Sequence, residues 1–260
     1  MPYVISENWT GYLPSNHVQQ GFFVRWLSRL IARNAAALLP VSLDLKKAMI
    51  NNGFNSTFFI VPNVTDTQYF NLPETAKATE KKIMLHVSTL KDEHKNITGI
   101  LNVVKQLSTL RQDFELHFVG DGDATPHIKY AAERNILNKF VYFYDSMRPS
   151  QIAEKMKQSD FFIMFSNYEN LPCVIVEALA SGLPVVSSTA GGISEHITKD
   201  NGILVAPKDE NALLVACMKM LDNSCSYNRS SLHKYAVDNF SYESVGKQLT
   251  EIYNTILKRK

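Results

Sequence analysis

The sequence predicts an α/β protein whose core is a doubly wound parallel sheet. Two observations carry that prediction. From Lys82 onward, six apolar runs of strand length alternate with segments of helical periodicity, the pattern of linked βαβ units. One of those runs, Phe161-Phe162-Ile163-Met164-Phe165, is apolar at every position, as suits a strand covered on both faces.

The elements follow in order. Pro2-Tyr3-Val4-Ile5 reads as a buried strand, and the loop ENWTGYLPSN follows it. Phe22, Phe23, Trp26, Leu27, Leu30 and Ile31 recur at helical spacing, with Arg25, Arg29 and Arg33 on the other side. Core packing is the expected role of this helix, and peripheral contact with a membrane is the alternative. A strand over 36–41, a helix over 43–51 closed by Gly53 and a strand over 57–61 complete the first part. Residues 71–81 are polar, contain Pro73 and lack apolar periodicity, so they read as a linker.

The alternation then runs strand 82–87, helix 97–110, strand 115–119, helix 126–135, strand 140–144, helix 150–158 and strand 161–165. A polar loop, Ser166 to Glu169, leads to a helix over 171–180, with Asn170 as its N-cap, Pro172 in its first turn and Gly182 as its stop. Strand 184–188, a short helix over 193–197, strand 203–205 and helix 209–222 come next. Helices over 226–237 and 241–258 end the chain, the second amphipathic through Val245, Leu249, Ile252, Tyr253 and Ile256.

Composition excludes several classes of function. Twenty-seven basic against 25 acidic residues leave a formal charge of +2, too weak a field to gather nucleic acid. The one conspicuous basic run is Lys258-Arg259-Lys260. Cys173, Cys217 and Cys225 lack metal-ligand spacing, and an odd count argues against a secreted disulfide framework, so a cytoplasmic setting is expected. No apolar run has the length of a membrane span, and Met1 to Ser6 lacks the pattern of a signal peptide.

The most informative stretch is Ser166 to Val186, SNYENLPCVIVEALASGLPVV. It sets Glu169 in a loop at a strand's carboxyl end and Glu177, eight positions on, within the following helix. Apolar strand, Asn-Leu-Pro helix start, Glu-Ala-Leu-Ala-Ser-Gly and Leu-Pro-Val-Val together resemble the donor-binding element of family 4 (group 1) glycosyltransferases, which have the GT-B fold. The resemblance extends over residues 36–260. It implies a partial amino-terminal, acceptor-side Rossmann-like domain at 1–70, the linker at 71–81, a nucleotide-sugar donor-binding domain at 82–240 and a helix at 241–260 that packs back on the first domain. The first part holds about three strands, too few for an independent α/β domain. We therefore expect that the first portion of that domain is missing and that apolar faces of residues 1–70 are uncovered.

Transfer from a nucleotide sugar expels a nucleoside diphosphate, so the site must stabilise charge building on phosphate. Lys95 precedes a helix whose apolar face is Ile97, Ile100, Leu101 and Val104, where its charge adds to the helix dipole. Members of the family often carry Gly-Arg after the preceding strand; here the counterparts are Ser88 and Thr89, so either these supply hydroxyl and backbone donors beside Lys95 or donor affinity is weak. Gly120 and Gly122 fall on the nucleotide side by resemblance, where they let the backbone approach a ligand. Glu177 is expected at the ribose hydroxyls, and Glu169 with the backbone of Asn170 and Leu171 at the donor sugar. The run Thr189 to Ile193, with Glu195, resembles the loop after the next strand. On the acceptor side Glu7 and Asn8 stand where relatives often carry Glu-His, so imidazole proton transfer is not expected there.

The resemblance implies retaining transfer from a nucleotide-diphosphate sugar to a saccharide or lipid-linked acceptor, in surface glycan or lipid-linked oligosaccharide synthesis, with no metal or other cofactor required. A remnant that binds nucleotide sugar without transferring it, and an epimerase or phosphorylase on the same fold, are the alternatives.

Overall fold

A computed structural model of the chain describes residues 2–16, 21–74 and 80–258. Positions 75–79 of the expected linker, and Arg259 and Lys260 of the basic run, lie outside the described residues.

The first part is a small parallel unit. β1 (Val4–Glu7) leads through α1 (Phe22–Asn34) to β2 (Ala37–Pro40), which pairs with β1 from Val4–Ala37 to Glu7–Pro40. α2 (Leu43–Asn51) starts at Ser42, whose Oγ accepts from the Leu45 N–H at 3.1 Å as an N-cap. The segment expected as a strand over 57–61 does not form a strand of its own. It lies extended beside β2 through a single bridge, Leu38–Phe58, with backbone hydrogen bonds from Leu38 N–H to Thr57 and from Phe59 N–H to Leu38.

The expected core role of α1 is not met. Of its side chains only Ala32 is buried, while Phe22 is 86% and Phe23 69% exposed and Trp26 is half exposed. Adjacent strands lie only about 5 Å apart, so two of them are too narrow to cover so broad an apolar face. The other side of α1 is pinned by Arg29, whose Nε donates to the Asn52 carbonyl at 2.7 Å.

β3 (Lys82–Ser88) opens the larger sheet, followed by the one-turn α3 (Asp92–Lys95) and α4 (Ile97–Leu110). β4 (Phe114–Gly120), α5 (Thr125–Glu133), β5 (Val141–Tyr144), α6 (Pro149–Lys157) and β6 (Phe161–Met164) come next. α7 (Cys173–Ala180), β7 (Val185–Ser188), β8 (Gly202–Val205) and α8 (Glu210–Asn223) complete the alternation. The strands are all parallel, in the order β5-β4-β3-β6-β7-β8, the doubly wound arrangement in which the chain first builds outward on one side of β3 and then on the other.

β6 is covered on both faces, as its sequence requires. Phe161, Ile163 and Phe165 join Met84, Phe118 and residues of α4 and α8 in one cluster, while Phe162 and Met164 join Leu85, Val87 and residues of α6 and α7 in the other. Alternate residues of a strand point to opposite faces, and each fully buried Phe or Ile contributes about 1.5–3 kcal/mol. α9 (Arg229–Phe240) begins three residues later than expected, capped by Asn228. α10 (Tyr242–Lys258) then crosses to the small unit, where Val245, Ile252 and Ile256 pack with Ala37, Leu39 and Val61.

Candidate active site

β3 and β6 are neighbours in the sheet, but the connections after them leave in opposite directions. A crevice must open outside their carboxyl ends. There the protein has a cleft of about 350 Å³, lined by Ser88 at the end of β3 and Thr89 after it, Lys95, Gly120 at the end of β4 and Asp121 after it, Glu169 after β6 and Cys173 at the start of α7.

Lys95 does not begin the long helix but ends α3. Asn96, at φ 50 and ψ 50, turns the chain in the left-handed region and caps α4 by accepting from the Gly99 N–H at 3.2 Å. That break aims Lys95 inward, where it is 9% exposed and its Nζ is ion-paired and hydrogen-bonded with Glu169 Oε1. Glu169 is 5% exposed. His94 Nε2 stands 3.5 Å from the same carboxylate oxygen, and its ring stacks on Tyr168 with centroids 4.4 Å apart. Burial by itself raises the Glu169 carboxyl, but His94 and the Lys95 charge outweigh it and hold the group below the usual carboxylate range. The loop after β6 is stitched to α3 by Asn167, whose backbone N–H donates to the His94 carbonyl and whose Nδ2 donates to that of Glu93, both at 2.8 Å.

Ser88 lines the cleft, but its hydroxyl proton is not free for a ligand. His86 is fully buried, and burial pushes its imidazole down to about 4, so the ring is neutral. Its Nδ1–H donates to the Ile163 carbonyl at 2.9 Å, leaving Nε2 to accept from the Ser88 hydroxyl at 2.7 Å. The expectation of two hydroxyl donors here is thus reduced to one, exposed Thr89. Gly120 and Gly122 pack beneath this turn: a Cβ on the first would meet the Ser88 carbonyl oxygen and on the second that of Thr89.

The loop holding Glu169 also meets the small unit. Asn170 is not the N-cap of α7, because Leu171 precedes a proline and is thereby steered away from helical geometry; the helix starts at Cys173 instead. Asn170 Nδ2 donates to the Asn8 carbonyl at 2.6 Å, and its own carbonyl accepts from Gly192 N–H at 2.8 Å. The Leu171 carbonyl accepts from Asn63 Nδ2 at 2.6 Å. Glu195, expected in a site loop, instead spans to α2, its two carboxylate oxygens accepting from the N–H groups of Leu43 and Asp44, each at 2.8 Å.

Of the expected site residues, Glu7, Asn8, Gly122, Asn170, Leu171 and Glu177 do not line the cleft. Glu7 accepts from Trp9 N–H at 2.8 Å and lines a separate 180 Å³ cavity beneath α1 with Tyr12 and Ala32. Glu177 lies one turn beyond Cys173 on the same face of α7, half-buried, and among the described residues it makes no ion pair. Burial pushes its carboxyl up to about 7. His94 and Tyr168 were missed from sequence; their adjacency to Lys95 and Glu169 was the available signal. Among the described residues, five buried side-chain polar atoms lack a protein hydrogen bond, and four of them, on His94, Ser166, Asn167 and Asn170, belong to α3 or the loop after β6. Such atoms are few in native structures, and each calls for an explanation. No three His, Cys, Asp or Glu side chains among the described residues form a metal-binding group.

Comparison with known proteins agrees with this architecture. Residues 68–238 match the family described as glycosyl transferases group 1. The MMP alpha-(1->4)-mannosyltransferase of Mycolicibacterium hassiacum is 26% identical over 240 residues, which cover 90% of this chain and 57% of that protein. Lipopolysaccharide 1,6-galactosyltransferase of Escherichia coli is 28% identical over 66% of this chain and 48% of its own length. This chain therefore spans only about half the length of these curated relatives. Among solved structures, sucrose-phosphate synthase from Thermosynechococcus elongatus superposes over 99% of this chain and 68% of its own, with a TM-score of 0.84 at 21% identity. Anabaena Alr3699/HepE in complex with UDP and glucose does so over 97% of this chain and 71% of its own, with a TM-score of 0.82 at 20% identity. The doubly wound sheet, the crevice at its switch point and the matched span lead to one assignment: the chain has the fold of GT-B glycosyltransferases and belongs to the group 1 glycosyl transferases.

Proposed function

We propose that the chain binds a nucleoside-diphosphate sugar in the cleft at the ends of β3 and β6 and transfers the sugar, with retention of anomeric configuration, to a saccharide or lipid-linked acceptor in glycan synthesis. One observation carries this reading: a buried cation and a buried carboxylate, Lys95 and Glu169, share a cleft at the switch point of the sheet. The cation suits a diphosphate and the carboxylate suits sugar hydroxyls. The solved relative that carries UDP and glucose has the same fold, and the E. coli relative is named for lipopolysaccharide.

In this reading Lys95 neutralises the phosphate oxygen that accepts the electron pair when the bond to the anomeric carbon breaks. Glu169, with the backbone N–H groups of Asn170 and Leu171, orients the donor sugar, and Glu177 takes the ribose hydroxyls. Gly120, Gly122 and Thr89 bring backbone and hydroxyl close to the diphosphate. The acceptor hydroxyl attacks the anomeric carbon and its proton passes to the departing diphosphate, because Asn8 offers no imidazole. The chemistry as written uses no resident metal or other cofactor. Residues 1–70 form the acceptor side, 82–240 the donor side, and 241–260 tie the two. Unpaired Cys173, Cys217 and Cys225 favour a reducing, cytoplasmic setting, and exposed Phe22, Phe23 and Trp26 beside Arg25 and Arg29 suit peripheral membrane contact. Among the described residues no helix is long and apolar enough to cross a membrane.

The test is calorimetric titration of the folded chain with UDP, GDP and ADP, repeated on Glu177→Ala. Binding of one diphosphate, weakened about tenfold or more in the variant, is expected. A folded chain that binds none of the three refutes the reading.

A further inference from the structure

The turn after β3 is gripped from inside by two histidines. Leu90 lies in the left-handed region at φ 55, a conformation that costs a branched side chain of this kind free energy and persists only where surroundings enforce it. Both of its backbone polar groups are engaged. Its N–H donates to Ser88 Oγ at 3.0 Å, and its carbonyl accepts from Nε2 of buried His127 at 2.9 Å. A carbonyl can only accept, so the Ile163 carbonyl fixes the His86 proton on Nδ1 and leaves Nε2 as an acceptor. The Ser88 hydroxyl must therefore turn its hydrogen inward to His86 and its lone pair toward Leu90. The direction of the whole chain of bonds is set from the sheet interior. β3 and β6 already pair directly through Met84–Phe161 and Leu85–Phe162, so these bonds add shape to the turn rather than strand pairing. On the outer side of the same turn, Ser88 and Thr89 face the cleft beside Lys95.

We propose that His86 and Ser88, backed by His127, form a positioning relay that locks the 88–90 turn so that its outer side meets the donor diphosphate. The proposal rests on the nucleotide-sugar reading above. None of the three side chains is required to touch the reacting atoms; they act through the backbone of the turn.

The experiment compares two substitutions at one position in the full chain. His86→Gln sets an amide oxygen near the place of Nε2 and keeps an acceptor for Ser88, whereas His86→Asn keeps only a donor near Nδ1 for Ile163. Each loses one hydrogen bond, so a purely structural histidine would give equal losses. The relay predicts that His86→Gln holds UDP, GDP or ADP, whichever the parent chain binds, within about threefold of the parent, while His86→Asn and Ser88→Ala each weaken it about tenfold. The double variant His86→Asn/Ser88→Ala should be no weaker than Ser88→Ala alone, because removing the Ser88 hydroxyl already cuts its link to His86. Affinity for the matching nucleoside without phosphate should change less than about twofold. Equal losses in His86→Gln and His86→Asn, or full affinity in Ser88→Ala, overturn the relay. If the His86 variants do not fold, Ser88→Ala against Ser88→Thr, which keeps the hydroxyl, decides alone. A folded parent chain that binds no diphosphate overturns the nucleotide-sugar reading together with the relay, whereas binding that Ser88→Ala leaves untouched overturns the relay only.

Discussion

Replacing Lys95 by Met leaves Glu169 as a buried carboxylate whose remaining close cationic candidate is His94, 3.5 Å away. Breaking a buried pair by removing one partner typically costs about 3–5 kcal/mol, because the other charge stays desolvated. The pair here borders an open cleft, which places the expected loss at the low end, about 3 kcal/mol, or a fall in Tm of about 6–12 °C for a chain of this size. The companion variant Lys95→Met/Glu169→Gln removes the stranded charge and should return to within about 1 kcal/mol of the parent. Urea unfolding followed by circular dichroism measures all three. The pH dependence adds an independent check. In the parent chain Glu169 is held below its unfolded value, so its contribution is present above that value and is lost as pH falls through the folded one. In Lys95→Met, burial is opposed by His94 alone, so acid relieves the stranded charge and the gap between variant and parent narrows as pH falls. A single variant within about 1 kcal/mol of the parent at neutral pH, or a double variant as unstable as the single, would refute the reasoning.

Three further outcomes are expected. Glu177 has its folded pKa raised from 4.5 to about 7, so the parent chain should lose stability as pH climbs through that interval and level off above it; Glu177→Gln should flatten this slope in thermal melts taken from pH 4 to 8. Glu195→Ala removes two hydrogen bonds from backbone N–H groups at the start of α2 and should destabilise by about 1–2 kcal/mol, so a change under about 0.5 kcal/mol in chemical denaturation would deny that the clamp matters. Gly122→Ala drives a Cβ into the Thr89 carbonyl oxygen, and Gly191→Ala does the same to the Glu169 carbonyl at a φ of +58. Each should weaken diphosphate binding more than Gly246→Ala, whose Cβ meets nothing within 4 Å.

The larger sheet was legible because its inner strands are buried on both faces, and Phe161 to Phe165, apolar at every position, reads as one of them. The family resemblance set Lys95 and Glu169 in one site, but their pairing with each other was not foreseen. Asn96 was not recognised as a left-handed break, although Asn tolerates that region better than most residues, and the break is what turns Lys95 inward. The start of α7 was misplaced because Asn170 looked like a cap, while the stronger constraint was the proline after Leu171. Contacts such as Glu195 with Leu43 and Asp44 join residues some 150 positions apart and leave no local signal. Uncovered apolar faces in residues 1–70 were expected from the small number of strands there, but α1 was not identified as the element that carries them, because an apolar helical stripe states what a helix can bury, not what lies over it.

α10 has a consequence for the order in which the protein is made. The core beneath β1 and β2 is closed by Val245, Ile252 and Ile256, and Gln248 Nε2 donates to the Ile60 carbonyl at 2.7 Å. β1 and β2 therefore wait for the much later residues of α10, while each βαβ unit of the larger sheet can form from neighbours as it leaves the ribosome. The small unit should be the last region to gain protection from amide exchange during refolding. A ribosome stalled within α10 should hold a nascent chain whose larger sheet is formed and whose opening strands are still without their cover.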